Sequence, residues 1–177
     1  MKKLLLFPIL LLFLSLAQAE SYYCKVNDVI DGNNLICQKD HSNNIKIKIC
    51  QTEAPELTQP FGEEAKNFLT EWLLNKEVYI QTYKETGNQT VYANVILEGK
   101  VSIDISIALL EMGLAWNSPF CHRDEFDSEQ TPIHLYDQPK IFKNSFYHRK
   151  ESQAKEKKLG LWSTSNPTPP WKWRKQK

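Results

Sequence analysis

The order of secondary-structure signals in this 177-residue chain predicts an α+β fold, mainly β: a five-stranded Greek-key barrel of the OB type carrying three helices. Three observations predict it. Apolar, β-branched runs, one of them strictly alternating, recur between short turns. Helical spacing takes over between and after them. The length is that of one domain with little left for a second.

Taken in order, Met1-Lys2-Lys3 precedes an apolar run from Leu4 to Leu16, and Ala17-Gln18-Ala19 has the small-x-small form of a cleavage site. Residues 1–19 are therefore read as a secretory signal peptide and 20–177 as the mature domain. The apolar run is too short for a comfortable membrane span, so no stable span is expected after cleavage, and the destination is the periplasm or the medium. Residues 22–30, 35–38 and 45–50 read as three strands, the last alternating as Ile45-Lys46-Ile47-Lys48-Ile49. Residues 63–74 form an amphipathic helix through Ala65, Phe68, Leu69, Trp72 and Leu73. Residues 77–84 and 90–97 are two further strands around the loop 85–89. Residues 102–112 return to helix, with Gly113 placed to stop it. A polar, proline-broken stretch, 117–144, is a long loop with acids at Asp124, Glu125, Asp127 and Glu129. A last helix over 145–159 ends at Gly160, and 163–177 is a basic, Trp-rich tail.

Bulk charge gives no signature of nucleic-acid binding, since 22 basic residues face 21 acidic ones. The distribution is more informative. Residues 20–148 carry 11 basic and 19 acidic side chains, whereas 149–177 carry 9 basic and 2 acidic. That basic end suits a phosphate backbone or an anionic membrane surface, and equally a solvated helix face and frayed tail. The four cysteines, Cys24, Cys37, Cys50 and Cys121, all lie in the exported part, where an even count suggests pairing. Three connectivities are possible. Cys24 with Cys37 is favoured, because both sit in apolar runs joined by the turn Asp31-Gly32-Asn33-Asn34, and Cys50 with Cys121 follows by elimination. A cysteine or histidine metal site is not expected, as neither C-x-x-C nor a His pair at ligand spacing occurs.

Several motifs in the right order resemble the staphylococcal nuclease-like family over nearly the whole mature chain. Asp31-Gly32-Asn33-Asn34 resembles its D-G-D-T turn and Ala54-Pro55-Glu56 its A/T-P-E loop. Gln59-Pro60-Phe61-Gly62-Glu63-Glu64-Ala65 is similar to the start of its first helix, and Gly113-Leu114-Ala115 to the end of its second. Residues 151–162 resemble its third helix, and Pro169-Pro170-Trp171-Lys172-Trp173-Arg174 a tail common among bacterial members. The resemblance implies a calcium-dependent phosphodiesterase acting on DNA and RNA. In such a site carboxylates hold the ion, a glutamate serves as base for the attacking water, and two arginines clamp the transition state.

Carried over residue by residue, the match is uneven. Glu56 stands at the catalytic glutamate, and Asp31 with Gly32 keeps the turn that presents the metal ligand. Asn33 and Glu53 replace two metal-binding aspartates, Lys48 replaces the first arginine, and Thr90 aligns with the second. Asn33 removes one ligand charge, which weakens calcium binding. Glu53 keeps its charge on a longer stem. Lys48 keeps a charge without the bidentate fork, and Thr90 has no charge. Losing one clamp donor typically costs about 10²–10³ in rate. Arg123, Arg149 and Arg174 are the only arginines, so a two-arginine site on the barrel strands is excluded.

The blander readings stand beside these. Lys48 on an alternating strand is most simply solvent-facing, and Trp171 and Trp173 are better explained by packing the tail onto the barrel than by stacking bases. His122-Arg123-Asp124 and the sequon Asn88-Gln89-Thr90 carry no supporting context. Two functional readings follow. The preferred one is a degenerate, monomeric homologue with absent or much reduced phosphodiesterase activity, with weak or lost Ca2+, retaining the fold to bind DNA, RNA, a nucleotide or a protein. The alternative is an active metal-dependent nuclease in which Lys48, with Lys84 or Arg123, substitutes for the arginines.

Overall fold

Strands β1 (Ser21–Val29), β2 (Asn34–Lys39) and β3 (Asn43–Ile49) form an antiparallel meander in the computed structural model, which describes residues 21–39, 43–86, 90–118, 121 and 146–176. The expected signal peptide, His122-Arg123-Asp124 and nearly all of the 117–144 loop lie outside the described residues. A two-residue strand β4 (Thr52–Glu53) follows, then helix α1 (Gly62–Leu73), β5 (Glu77–Thr86), β6 (Thr90–Leu97) and a short β7 (Ile103–Asp104). Helix α2 (Ile105–Glu111), strand β8 (Trp116–Asn117), helix α3 (Phe146–Glu156), a 3-10 turn (Gly160–Ser163) and a one-turn helix α4 (Pro170–Trp173) follow among the described residues.

Five strands close on themselves. β1 pairs with β2 and β5, β2 with β3, β5 with β6, and β3 returns to β6 in parallel, Lys48 opposite Tyr92 and Ile47 opposite Val91. This is the expected barrel. The alternation fixes which side chains fill it: Ile47 and Ile49 from β3 meet Val91, Ala93 and Val95 from β6, while Lys46 and Lys48 point outward. Ala65, Leu69 and Leu73 of α1 cover one end at a spacing of four, and Ile105 and Leu109 of α2 seal another part of the same core. Burying each of the Val, Leu and Ile side chains among them contributes about 1.5–3 kcal/mol.

Several boundaries shift for local reasons. α2 starts three residues later than its periodicity suggests, because the Asp104 side chain caps it, accepting the Ser106 N–H (2.8 Å) and the Ile107 N–H (3.3 Å). α2 ends as expected before Gly113, which has φ +67°. α3 is nearly all polar and buries only Glu151 and Ala154. Glu151 offsets the cost of its burial by accepting the Asn117 N–H (3.1 Å) and pairing with Lys155 (2.8 Å), tying α3 to β8. Both expected disulfides form: Cys24 with Cys37 across β1 and β2, and Cys50 with Cys121.

Candidate phosphate-binding site

The site begins at the turn between β1 and β2. Asp31 Oδ1 accepts the N–H groups of Asn33 (2.7 Å) and Asn34 (2.8 Å), and both its carboxylate oxygens take the Asn34 side-chain amide at 2.9 Å. Asp31 therefore shapes the turn. Asn33 is turned inward and is 6% exposed. Its Nδ2 donates to the Ile49 carbonyl (3.2 Å), and its Oδ1 accepts the Ala54 N–H (3.3 Å) and the Thr52 hydroxyl (3.4 Å). The carboxamide thus stitches the turn to the end of β3 and to the next loop.

Past β3 the chain reverses at Gln51, a non-glycine residue at φ 64°, and Glu53 then pairs with Trp116 across β4 and β8. The segment is pinned by Gln51 Nε2 donating to the Cys121 carbonyl (3.0 Å) and by Ser106 Oγ donating to the Cys50 carbonyl (2.9 Å). Glu53 is consequently buried beside Lys48, whose Nζ lies 3.0 Å from its Oε1. Lys48, expected as a solvent-facing strand residue, is half-covered and reaches this acid across the reversal. Glu56 follows on the exposed rim. Its N–H is accepted by Gln59 Oε1 (3.1 Å), and α1 comes so close that a Cβ on Gly62 would lie 2.0 Å from the Glu56 carbonyl oxygen.

The residue that sequence reasoning leaves out of the site is Arg174. Its Nη1 lies 2.7 Å from Glu56 Oε1 and 3.5 Å from Glu53 Oε2. It is carried there by α4, which Pro169 and Pro170 start. Trp171 anchors α4 in a second apolar cluster with Trp116 and Leu161, its ring 6.4 Å from that of Trp116, edge to face. The tail therefore packs on the domain as expected, and Gln59 Nε2 donates to the Thr168 carbonyl to fasten it to the Glu56 loop. Burial works against the Arg174 charge, but the hydrogen bond to Glu56 and the charges of Glu53 and Glu56 outweigh it and hold the guanidinium above its ordinary value. The signal that could have found it is the Pro-Pro-Trp anchor with an arginine one helical turn later.

Of the other expected positions, Thr90 is covered at the start of β6, level with Lys46 rather than Lys48. Lys84 lies opposite Tyr92 on β5, and Arg123 falls outside the described residues. The structure thus brings together Lys48, Glu53, Glu56 and Arg174, with Asn33 behind them.

The Staphylococcal nuclease homologue family matches residues 46–136, just over half of the chain. This chain belongs to the staphylococcal nuclease family. A Haemophilus influenzae protein described as an uncharacterized endonuclease is 28% identical over 177 residues, covering 99% of this chain and 86% of the relative. A micrococcal nuclease of Shigella flexneri is 26% identical over 154 residues, covering 83% and 77%. A staphylococcal-like nuclease of Arabidopsis thaliana is 27% identical over 132 residues, 75% of this chain but 34% of the plant protein.

Against the calcium site that membership of this nuclease family implies, the donors here fit poorly. Calcium takes six to eight oxygen ligands, mostly carboxylate and carbonyl. Both oxygens of Glu53 are engaged by cations, Glu56 Oε1 is held by Arg174, the Asn33 oxygen already accepts two protein donors, and Asp31 is consumed by its turn. Among the described residues no three Asp, Glu, His or Cys side chains converge as a metal-binding group.

Proposed function

We propose that this chain is a degenerate member of the nuclease family, which binds the phosphodiester backbone of nucleic acid or a nucleotide phosphate with absent or much reduced hydrolysis, and with weak or lost calcium. One observation carries the reading: the two acids at the family's working positions, Glu53 and Glu56, are both neutralised by resident cations, Lys48 and Arg174. A base must take a proton from water, and a Glu56 oxygen held 2.7 Å from a guanidinium is poorly placed to do so. The two-arginine clamp is absent, since Thr90 offers no charge and Lys48 no fork. What the cleft retains is two cations, Lys48 and Arg174, each held against an acid and of a kind that can donate to phosphate oxygens. Export fits the same reading, because both disulfides belong to an oxidising compartment. Among the described residues no helix is long and apolar enough to cross a membrane.

The test is a plasmid-cleavage assay on the oxidised protein in calcium, beside anisotropy of a fluorescein-labelled single-stranded oligonucleotide. Binding is expected in the non-specific range of about 10⁻⁴–10⁻⁶ M at physiological salt, weakening as salt rises, without appreciable cleavage. Strong cleavage by the wild-type protein would reject this reading in favour of an active nuclease with an altered site.

A further inference from the structure

The family's calcium and this chain's donor set disagree, and the disagreement has a shape. A positive group already sits between the two acids. We propose that Arg174 stands in for the metal ion: a tethered guanidinium bridges Glu53 and Glu56 and makes phosphate binding at this cleft independent of divalent cations. The phosphate part of this inference rests on the reading of function given above.

Position is the first argument. A single atom, Nη1, contacts both carboxylates, at 2.7 Å and 3.5 Å, as a bridging cation would. The second is that the group is built in. Arg174 caps α4, its own N–H donating to the Pro170 carbonyl (3.0 Å), and α4 is held by the buried Trp171. Gln59 joins both partners of the bridge, one end of its carboxamide accepting the Glu56 N–H and the other donating to Thr168 in the tail. Seating the tail and aiming Glu56 are therefore one structural event.

Charge balance is the third argument. Two acids face two cations, so a calcium ion binding between Glu53 and Glu56 would have to displace Lys48 and Arg174 from the carboxylate oxygens they hold. The asparagine at position 33 agrees with this arrangement. An aspartate there would add an uncompensated charge once the metal is gone, whereas the amide satisfies the Ile49 carbonyl. The chemistry of the group suits the same role. Guanidinium is permanently charged and carries five N–H donors in a planar fork that fits phosphate oxygens. Both carboxylates use Nη1, so the bridge engages one of the three guanidinium nitrogens.

The experiment has two arms, on the oxidised full domain, with Arg174→Gln as the main variant and Arg174→Lys beside it. Tryptophan fluorescence and thermal unfolding check that the tail stays seated. In the cation arm, calorimetry with CaCl2 should give wild-type binding weaker than about 1 mM, the loose end for extracellular modules, and at least about tenfold tighter binding for Arg174→Gln. Arg174→Lys, which keeps the charge, should stay close to wild type. In the phosphate arm, the labelled oligonucleotide should bind the wild type equally in EDTA and in calcium, and Arg174→Gln should bind about tenfold more weakly in EDTA, the loss expected for one charge-assisted hydrogen bond. Unchanged calcium affinity in Arg174→Gln overturns the substitution of arginine for metal. Wild-type DNA binding that EDTA abolishes overturns it as well. If calcium affinity rises in the variant while no protein binds the oligonucleotide, the cation replacement is supported and the nucleic-acid reading fails.

Discussion

Asn33→Asp tests most directly how the site has been rebuilt. The side chain is nearly fully buried, and its amide donates to the Ile49 carbonyl at 3.2 Å. An aspartate keeps the acceptor facing Ala54 and Thr52 but turns a carboxylate oxygen toward a carbonyl oxygen. Losing a buried donor and leaving its partner unsatisfied costs about 1–3 kcal/mol, more where a charge is involved. For a domain of this size each kcal/mol lowers Tm by about 2–4 °C. Urea denaturation at pH 7 in EDTA should therefore show Asn33→Asp less stable than wild type by about 1–3 kcal/mol. The deficit has a sign in pH. Once protonated, the introduced carboxyl can donate to the Ile49 carbonyl, so its folded-state pKa lies above the ordinary value of about 3.9. The variant then matches wild type below about pH 4 and falls behind as pH rises through the folded pKa. Equal stability of the two proteins at pH 7 in EDTA would refute the reasoning, because it would mean that the Asn33 amide holds nothing.

Other consequences are as open to measurement. The triple change Asn33→Asp, Lys48→Arg and Thr90→Arg, made together with Arg174→Ala to release the acids, should raise calcium-dependent DNA cleavage by at least about 10², and adding Glu56→Gln should abolish the gain. Replacing Cys50 and Cys121 by serine opens a loop of sequence separation 71 and should cost roughly 4 kcal/mol in urea on the chain-entropy view. Tyr147 donates to Asp104 Oδ2 at 2.9 Å, and burial, followed by the nearby Asp104 charge, raises its pKa. The neutral phenol is thus favoured in the fold, so wild-type stability should decline above about pH 10, where the unfolded chain ionises first, and Tyr147→Phe should flatten that decline.

The barrel is legible in the sequence because its strands carry periodic signals: Ile45, Ile47 and Ile49 declare an inward face whatever they pair with. Turn chemistry is equally plain, since Asp31 ahead of Gly32 announces the fold-back that brings Cys24 to Cys37. Two-residue strands have no period, so β4 and β8 are invisible, and with them the burial of Glu53. Periodicity overextends α2 because apolar residues continue upstream of Asp104, whereas the capping carboxylate sets the start. Asn33 is recognisable by position, but only the fold shows its oxygen engaged by Ala54 and Thr52. Arg174 is excluded from the barrel strands on sound grounds. Its arrival from 118 residues beyond Glu56 leaves no local trace, and it depends on where the Trp171 anchor seats. Sequence thus tells what each element is and misses what distant elements deliver to one another.

The parallel pairing of β3 with β6 also bears on how the domain assembles. Until β6 has been made and folded back, the β1–β2–β3 meander presents β3 as an open edge, and α1 and β5 lie between the two in sequence. Such non-local closure is slow compared with the hairpins that precede it. An exposed edge with Ile45, Ile47 and Ile49 on one face would invite pairing with another chain. Lys46 and Lys48 occupy the alternate positions and make that pairing costly, as edge lysines do. Lys48 therefore has a reason to be a cation that precedes any ligand: the charge that protects an unpaired β3 edge is the same one that lies against Glu53 in the closed barrel.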